Sequence, residues 1–508
     1  MHHFNSLPYL MQDLKQREEK MKEKRKHTPW RAFVQEICSW MPINIYKHDF
    51  WLSRFPSLER AGNLMSPEEF NEKGINTMYT QDFDITTWFF TAFGEFYKNH
   101  PKSSLSKTRD NENSKYADSL FGAKNAYLSF ATGDDAENII YSFTTYAKVS
   151  NILNSVSVID GCENIFYCTD ITKSFNIFYS RFIINSNNIR FSTNMIWCNE
   201  CIECDGLDNK SYCIRNEKLP KDEYFREKQK ILAQKDTFTE KYNKNIKIIG
   251  SNINSHNVSW QRVIFSENIE SWYLVSYMKD ARNVYLTAWV NGCTNFYDCF
   301  EVWFDSHDMY AVSQGWTYSQ NVYCSNFIDG WANQYYSFFL EQCSYCLGCI
   351  GLKNKEFCIL NKQYTKEEWF EMANKIFEQM DKDWTLWQFF PWSINPFYFN
   401  DTVASLIDDS FTKEEVAKEW YLRRDEEIKV DTPAWAEVIT TKELNNFQWF
   451  NEKGEREINP EILKKVIKDE KWNYYRIIPM ELEFLQKHGL PLPEIHWLDR
   501  IKLGFKFK

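Results

Sequence analysis

The sequence predicts an α+β protein dominated by β-structure, with two tandem β-solenoid arrays of 12–13-residue rungs, capping helices, and irregular helical N- and C-terminal regions. Two observations carry this prediction. An asparagine-based repeat occurs in two arrays, and a Cys-rich segment closes each array at an offset of 145 residues. Aromatic residues make up 17% of the chain while its mean hydropathy is −0.56. That combination suits a large core beneath a polar surface.

Asparagine recurs through the first array at intervals of 13, 13, 13, 12 and 12 residues, each time followed by Ala or Ile. A helical-hairpin repeat needs about 33 residues, so a period this short fits short strands joined by corners. Stacked rungs would place the Asn side chains in a ladder in which each amide bonds the next. The repeat positions are Asn125, Asn138, Asn151, Asn164, Asn176 and Asn188.

The second array repeats this pattern, and its end duplicates the end of the first. An offset of 145 residues maps the segment WCNECIECDGLDNKSYCIRNEK (197–218) onto QCSYCLGCIGLKNKEFCILNKQ (342–363). A charged segment with helical spacing follows each, at 221–232 and 366–377. These helices are expected to cap the arrays, because an open solenoid end exposes unpaired backbone. The second set of repeat positions is Asn268, Asn283, Asn295, Asp308, Asn321 and Asn333.

The repeats divide the chain into five predicted regions. Outside the arrays, QDFDITTWFFTAFGEFYKN (81–99) predicts an amphipathic helix with Trp88 and three Phe residues on one face. Thr412 and Glu415 have capping-box spacing, and Gly489 is expected to end a helix. The regions are an N-terminal helical region (1–119), the first array with its Cys-rich cap and helix (120–235), a linker (236–264), the second array with its cap and helix (265–381), and a C-terminal region (382–508).

Charge and hydropathy disfavour several partner classes. A net charge of −10 and a pI of about 5.6 argue against a nucleic-acid or anionic-membrane binder. The exception is the basic segment 15–27, which is the part of the chain that would contact RNA. A solvated helix is the favoured interpretation of that segment. No run approaches 18 apolar residues, so no membrane span is expected. The N-terminus lacks a secretory pattern, which predicts a cytoplasmic protein whose 14 cysteines are reduced thiols or metal ligands.

The two caps share the spacing C-x2-C-x2-C-x8-C, which makes them the best candidates for chemistry. Four thiolates can hold zinc tetrahedrally or anchor an iron–sulfur cluster. Across a solenoid corner, however, residues i and i+3 can both point inward, and Cys is a small hydrophobe suited to a tight core. Core packing without a cofactor is favoured, and a zinc or iron–sulfur site is the alternative. The residues are Cys198, Cys201, Cys204, Cys213, Cys343, Cys346, Cys349 and Cys358.

Aromatic and acidic residues supply the other candidates. Trp289, Trp303, Trp316 and Trp331 recur at nearly the rung period, and they form either core or, if outward, a partner-binding strip. Two acidic bends are interpreted as turns rather than catalytic sites. The sequence contains neither G-x4-GK[ST], nor G-x-G-x-x-G in a strand–helix context, nor H-E-x-x-H, so it does not support nucleotide binding or zinc-protease activity. The bends contain Asp134, Asp135 and Glu137, and Asp305, His307 and Asp308.

Nearly the whole chain resembles, in the same order, an uncharacterised repeat family of small-genome bacteria whose members are sometimes labelled CaiB/BaiF family. The label implies a CoA-transferase, a large α/β fold, whereas this sequence shows no alternating strand–helix units. The resemblance therefore implies architecture rather than activity. Family members tend to carry Cys pairs near both termini, where this chain keeps only Cys38. The segments are FDITTWFFTAFGEF (83–96), the Asn-x-Tyr rungs, GLKNKEFCILNKQYTKEEW (351–369), NPFYFNDTVA (395–404) and ELEFLQKHGLPLP (481–493).

These observations together predict a non-enzymatic repeat scaffold or protein-binding protein, with a protein partner that the sequence does not identify. The first alternative is a metal-binding protein that uses the duplicated Cys caps. The second alternative is a carbohydrate-active β-helix enzyme, which would show an open groove with paired carboxylates. A scaffold would instead show an exposed aromatic patch.

Overall fold

The protein is β-dominated, with a β-solenoid and helical N- and C-terminal regions, and the predicted α+β solenoid class is confirmed. The chain forms two compact units of two segments each: Met1–Leu105 with Gly250–Asp425, and Ser106–Ile249 with Glu426–Lys508. The five predicted regions stay a prediction. The computed structural model describes residues 6–25, 29–48, 51–73, 79–107, 110–233, 263–264, 270–271, 275–276, 282–284, 297–298, 309–310, 322–323, 326–329, 333–425 and 436–505.

Eleven α-helices lie within these described ranges, together with short 3-10 segments. None of these helices is both long and apolar enough to cross a lipid bilayer. The helices are α1 (Ser6–Arg25), α2 (Trp30–Glu36), α3 (Leu58–Ala61), α4 (Pro67–Lys73), α5 (Phe89–Asn99), α6 (Lys221–Leu232), α7 (Lys366–Lys382), α8 (Val403–Ile407), α9 (Lys413–Lys418), α10 (Pro479–His488) and α11 (Trp497–Gly504). The 3-10 segments are Cys38–Trp40, Phe399–Asp401, Thr441–Asn446 and Pro460–Lys464.

One period of 12–13 residues in the first array is a whole coil, because each period contributes one strand to each of two parallel stacks. The long strands Asp118–Tyr127 and Phe130–Ile140 pair at the start of the array, and the second of them joins both stacks. The first stack is Phe143–Tyr146, Val156–Ile159, Thr169–Thr172, Arg181–Ile184 and Thr193–Ile196. The second stack is Ser150–Leu153, Glu163–Phe166, Phe175–Phe178, Asn187–Arg190, Asn199–Ile202 and Ser211–Ile214.

The backbone of the first array turns at every third residue. In the coil 175–186, Asn176, Tyr179, Phe182 and Asn185 have φ of 56, 51, 61 and 49°. Four such left-handed residues make the four corners of the coil. Asn adopts this conformation more readily than other non-glycine residues, which explains why a chain with only 16 glycines uses Asn at so many corners.

The extra residue of the 13-residue coils lies at a single corner. The 12-residue coils that follow have a single left-handed residue at that corner: Lys173 in the first and Asn185 in the second. The strands on either side keep their register through this change, with Ile165 opposite Ile177. The Asn interval therefore drops from 13 to 12 residues because this corner shortens. In the longer coils the corner consists of two consecutive left-handed residues: Asp134 and Asp135, Ala147 and Lys148, and Asp160 and Gly161.

The Asn side chains form the ladder that the spacing predicted. Each side-chain amide Nδ2 donates to the Oδ1 of the Asn one coil further, at 2.8–3.2 Å. The ladder contains all six predicted residues of the first array and extends by one residue at each end, to Asn113 and Asn199. Because every rung uses the same amide geometry, the ladder ties each coil to the next along one edge.

A hairpin and a helix close the C-terminal end of the first array. Its last strand, Ser211–Ile214, pairs in antiparallel fashion with Glu217–Lys218. Helix α6 follows and buries Tyr224 completely, with the Tyr224 ring edge-on to Tyr212 at 5.7 Å between centroids. Lys228 of the same helix donates to Glu200 of the array at 2.6 Å. The predicted capping role of this helix is confirmed.

The C-terminal segment 436–505 packs against the first array within the same unit. Phe484 of α10 stacks on Phe166 at 5.9 Å between centroids, and the Arg181 guanidinium donates to Leu503 O at 2.7 Å. A fully buried ion pair of 2.6 Å joins Arg500 and Glu481. Helix α10 ends at Gly489, with φ of 64°, as predicted. The strands of the segment are Glu437–Thr440, Gln448–Phe450, Arg456–Ile458, Lys465–Lys468 and Tyr474–Tyr475.

The other unit contains the described part of the second array. Its last strand, Glu356–Ile359, again pairs in antiparallel fashion with a two-residue strand and is followed by a helix, α7. Trp369 of α7 is fully buried and donates to Cys358 O at 3.1 Å. The described strands of this array are Val263–Ile264, Glu270–Ser271, Val275–Ser276, Arg282–Val284, Val322–Tyr323, Asn326–Asp329, Gln334–Tyr335, Phe338–Glu341, Ser344–Leu347, Glu356–Ile359 and Lys362–Gln363.

The N-terminal segment of this unit contributes helices and short strands. Helix α5 buries Phe89, Phe93 and Phe96 as predicted, but Trp88 is 54% exposed. The predicted start of this helix was wrong, because it begins at Phe89 and not at Gln81, and Trp88 is its N-cap. The short strands of the N-terminal segment are Tyr46–His48, Trp51–Ser53, Leu64–Met65 and Lys102–Ser103. In the other segment of the unit, Thr412 and Glu415 form the predicted capping box of α9.

Candidate functional site

The four cysteines of the first cap all point into the coil. Each follows a corner residue, so their separations of three, three and nine residues are multiples of the three-residue side of the coil. They are 0–3% exposed and belong to one hydrophobic cluster with Ile and Ala residues of the earlier coils. The spacing that resembles a metal motif is therefore also the spacing of successive inward positions. The residues are Cys198, Cys201, Cys204 and Cys213.

Cys204 continues a column that serine fills in most earlier coils. The backbone N–H of Cys204 donates to Ser192 Oγ at 3.0 Å, and the N–H of Ser192 donates to Ser180 Oγ at 3.1 Å. Each side chain of this column also donates to the carbonyl two residues before it: Ser192 Oγ to Arg190 O at 2.8 Å and Cys204 Sγ to Ile202 O at 3.3 Å. The thiol thus makes the same backbone contact as the serine hydroxyl that it replaces.

Cys198 takes a serine position in a second column. Its N–H donates to Ser186 Oγ at 2.9 Å, and its thiol donates to Ile196 O and Leu207 O, both at 3.3 Å. Earlier in the first column, Cys168 makes the same contact, and its N–H donates to Ser155 Oγ at 3.1 Å. Cysteine and serine are therefore interchangeable polar linkers between the coils of this interior.

Cys201 and Cys213 occupy a column of larger residues instead. Ile189 is the register partner of Cys201, and Cys201 is the register partner of Cys213. Cys201 is smaller than the isoleucine one coil earlier, whereas Cys198 and Cys204 are larger than the serines that they replace. The cap coil therefore redistributes interior volume from one column to the two beside it, which keeps the core filled.

The Cys201 thiol lies between the thiols of Cys198 and Cys204 and donates to Asn199 O at 3.6 Å. Its hydrogen bond with Cys198 lowers the pKa of Cys198 to about 7. The bond between Cys201 and Cys204 lowers the pKa of Cys204 in the same way. The pKa of Cys201 is raised, because its hydrogen bonds to both neighbours and its burial favour the protonated form. Burial also raises the pKa of Cys213.

The second cap repeats this arrangement. The N–H of Cys349 donates to Ser337 Oγ at 3.0 Å, and the thiol of Cys343 donates to Glu341 O at 3.3 Å. Cys346 and Cys358 are register partners, as Cys201 and Cys213 are. A hydrogen bond from Cys346 lowers the pKa of Cys343. Across the described ranges, no group of three or more His, Cys, Asp or Glu side chains has an arrangement that could hold a metal ion.

A surface strip that the sequence did not single out lies beside the first cap. Trp197 is a corner residue with φ of 54° and is 61% exposed. The half-buried Ile196 precedes it, and Ile184, also half-buried, is the register partner of Ile196 one coil earlier. The N–H of Trp197 donates to Ile184 O at 3.1 Å. We call Ile184, Ile196 and Trp197 the Trp197 strip.

The remaining sequence candidates fall into two groups. Asp134, Asp135 and Glu137 are exposed at and beside the two-residue corner described above. The predicted Trp stripe and the second acidic bend lie outside the described residues. These are Trp289, Trp303, Trp316, Trp331, Asp305, His307 and Asp308.

The basic segment 15–27 lies on α1 as far as Arg25, and its last two residues are outside the described ranges. Met21 of α1 is fully buried. Lys24 donates to Leu386 O at 3.0 Å, and the Arg25 guanidinium pairs with Asp298 at 2.5 Å. Part of the basic charge is therefore used in contacts within its own unit.

The caps and the Trp197 strip are the features of the first array that we consider for function. The caps are duplicated and buried, whereas the strip occurs on the surface of the first array. No family model, no curated protein and no solved structure matches this chain.

Proposed function

We propose that the protein is a non-enzymatic repeat scaffold that binds a protein partner through the Trp197 strip. The observation that supports this proposal is the exposure of Trp197, at 61%, beside two half-buried isoleucines. Trp is the side chain that most often anchors protein interfaces. A Trp flanked by aliphatic residues offers a partner a large apolar area to bury.

Trp197 is far more exposed than the neighbouring aromatic corner residues of the array. Tyr167, Tyr179 and Phe191 form a stacked column along another corner, with centroids 5.3–5.4 Å apart. They are only 1–3% exposed. That column is buried within the unit, whereas Trp197 remains accessible to a partner.

The coil holds Trp197 in place. Its backbone N–H is bonded to the preceding coil, and the next residue, Cys198, is fixed inside the core through Ser186. A side chain on such a support loses little backbone freedom when it is bound, and this lowers the entropic cost of association. A rigid array with an exposed aromatic anchor is what a scaffold requires.

A photo-crosslinking amino acid at position 197 tests the proposal. The same amino acid at Glu163, which is exposed on another edge of the array, is the matched control. We expect one protein to crosslink from position 197 and not from position 163. Purified, that protein should bind the wild-type chain and lose at least about tenfold in affinity with Trp197→Ala.

Substitution of Trp472, which is 72% exposed in the C-terminal segment, provides the second control. Trp472→Ala should leave the affinity unchanged, because this residue lies outside the strip. Equal loss with both alanine variants, or equal crosslinking from both positions, would refute a binding role for the Trp197 strip.

Metal binding by the caps is the second candidate function. The observation that favours it is the contact of the Cys201 thiol with Cys198 and Cys204, which recurs at Cys346 with Cys343 and Cys349. Soft thiolate ligands select zinc, copper(I) or iron–sulfur clusters. Core packing is the interpretation that we favour, because the thiols of these coils make the backbone contacts of serine. The reducing cytoplasm is the compartment that we propose, since a coil interior filled by thiols requires them to stay reduced.

Elemental analysis with thiol titration on anaerobically purified protein separates the two interpretations. Metal binding predicts one or two metal ions per chain, lost in Cys201→Ser and Cys346→Ser and retained in the control Cys168→Ser. Core packing predicts no bound metal and thiols that react with reagent only after unfolding.

A further inference from the structure

Helix α6 of the first cap and helix α7 of the second cap are internal duplicates of each other. The offset of 145 residues that maps one Cys cap onto the other also maps α6 onto the first 12 residues of α7. Tyr224 of α6 is buried edge-on to Tyr212, and its counterpart Trp369 of α7 is buried edge-on to Phe357. The two helices therefore place the same side against their arrays, and their other sides can be compared residue by residue.

On α7, a second side of the helix is buried as well. Phe370, Asn374 and Phe377 follow one another at spacings of four and three residues and are only 0–3% exposed. Helix α1 of the same unit packs against α7, and the Asn374 side-chain amide donates to Leu10 O of α1 at 3.2 Å. The second cap thus binds its array with one side of the helix and a further helix with another side.

On α6, the equivalent stripe is accessible. Phe225 is 39% exposed, Gln229 is exposed and Leu232 is half-buried. The Phe225 ring lies edge-on to Tyr212 at 6.2 Å between centroids, which supports it from the array side. Anchors at positions i, i+4 and i+7 lie on one side of a helix, and such a stripe is the surface on which a second helix packs. We call Phe225, Gln229 and Leu232 the α6 stripe.

The charges beside the stripe indicate which kind of helix complements it. Helix α7 contains five acidic and three basic residues, whereas α1, which packs on it, contains six basic and four acidic residues. Arg17 of α1 lies 4.0 Å from Glu378 of α7. Helix α6 reverses the balance with four basic and three acidic residues, and the exposed Arg226 occupies the position of Glu371. An acidic helix therefore complements α6 as the basic α1 complements α7.

We propose that the α6 stripe binds an acidic amphipathic helix of a partner protein, in the way that α7 binds α1. The inference goes beyond the proposed function, because it concerns a second surface and states the structure and charge of its partner. Helix α1 of a second copy is a poor occupant, because it is basic and already packs on α7.

Two synthetic peptides, each added to the full chain, test this inference. One peptide has the sequence of α1, Ser6–Arg25, and the other has the same sequence with every Lys and Arg replaced by Glu and every Asp and Glu replaced by Lys. Fluorescence anisotropy of the labelled peptides should show that the second, acidic peptide binds at least about tenfold more tightly than the first. Phe225→Ala should weaken this binding by about tenfold or more, and Arg226→Glu should shift the preference toward the basic peptide.

Phe175→Ala is the matched control, because it removes a ring of similar exposure, 44%, from the array. This variant should bind the acidic peptide as the wild type does, and circular dichroism verifies that each variant is folded. Failure of the acidic peptide to bind, equal affinity for the two peptides, or binding that Phe225→Ala leaves unchanged overturns the inference.

A photo-crosslinking amino acid at position 225 identifies what occupies the stripe. We expect it to crosslink to the acidic peptide and, without peptide, to give neither an intrachain crosslink nor a crosslinked dimer. An intrachain crosslink would mean that another segment of this chain covers the stripe, and a dimer that a second copy does; either result contradicts the inference. The crosslinking test at position 197 does not depend on any of these outcomes, so failure here is distinguishable from failure of the proposed function.

Discussion

Gly504 lies directly against Val156: a Cβ atom on Gly504 would be 2.4 Å from Cγ2 of Val156. This contact joins α11 to the first strand stack, and Thr169 Oγ1 donates to Gly504 O beside it at 3.2 Å. The C-terminal segment therefore approaches the array closely enough to require glycine at this position. Its seating on the array is a specific fit between backbone and side chains.

Gly504→Ala is expected to destabilise the protein by about 1–3 kcal/mol, the usual cost of overpacking a filled core. Adding Val156→Ala to this variant should recover part of the loss, because it removes the atoms that the new methyl group would meet. Urea denaturation of the two single variants and the double variant measures the coupling. Strictly additive effects would show that the two residues do not share this contact.

Asn164 is the test residue for the ladder. Asn164→Ala removes a donor and an acceptor and is expected to cost about 1–3 kcal/mol, because the amides of Asn151 and Asn176 lose their partner. Asn185→Ala is the control, since Asn185 is also a left-handed corner, with φ of 49°, but lies outside the ladder. The difference in unfolding free energy between the variants gives the ladder contribution without the backbone strain that both share. If the two variants are equally stable, the ladder contributes nothing measurable.

Cys168→Ser should change the unfolding free energy by less than about 1 kcal/mol, because serine fills the same column one coil before and one coil after. Ile177→Ala in the neighbouring column should cost about 2–5 kcal/mol, because it leaves a cavity in a close-packed interior. Chemical denaturation of both variants ranks the two columns. A severe loss in Cys168→Ser would contradict the equivalence of the thiol and the hydroxyl.

Acid is expected to destabilise the contact between the C-terminal segment and the first array. Burial lowers the pKa of His488 to about 4, and its ring packs on Phe484 at 4.5 Å and on Phe178 at 5.3 Å between centroids. An unfolded histidine titrates near 6.5. Between these two values the unfolded chain binds the proton and the folded chain does not, so stability falls as the pH drops from about 6.5 toward 4.

Thermal unfolding at pH values between 7 and 4, for the wild type and for His488→Gln, isolates this contribution. The variant should lose less stability than the wild type over that interval, because the carboxylates that also titrate are common to both proteins. Arg190, whose guanidinium donates to His488 O at 3.4 Å, and Lys487 also disfavour the protonated ring. Parallel pH profiles for the two proteins would assign the acid sensitivity to other groups.

The coil architecture was predictable because Asn marks the same corner in seven consecutive coils, from Asn113 to Asn188. Asn is favoured at a left-handed corner and continues the ladder, so two separate physical demands select it at the same place. The other three corners carry no such mark. In the coil 175–186 they are Tyr179, Phe182 and Asn185. The sequence allowed residues i and i+3 to point inward across one corner, but four corners per coil became evident only from the backbone conformation.

The Cys caps and the Trp197 strip show where sequence patterns become ambiguous. A spacing of three residues suits both a tetrahedral metal site and successive inward positions of this coil, and only the serine columns distinguish them.

The exposure of Trp197 could not be predicted from the sequence for another reason. A corner residue is exposed or buried according to what packs on its face. Arg456 and Glu494, which lie near Tyr179, come from more than 250 residues further along the chain.

The corner that holds Asp160 and Gly161 in one coil and Lys173 in the next has a consequence for the evolution of chain length. Inserting one residue elsewhere in a coil would shift the inward residues of that coil out of their columns. At this corner the extra residue leaves the strand register unchanged. This corner therefore accepts one residue more or less without disturbing the columns, and we expect a designed peptide loop grafted here to leave the array folded.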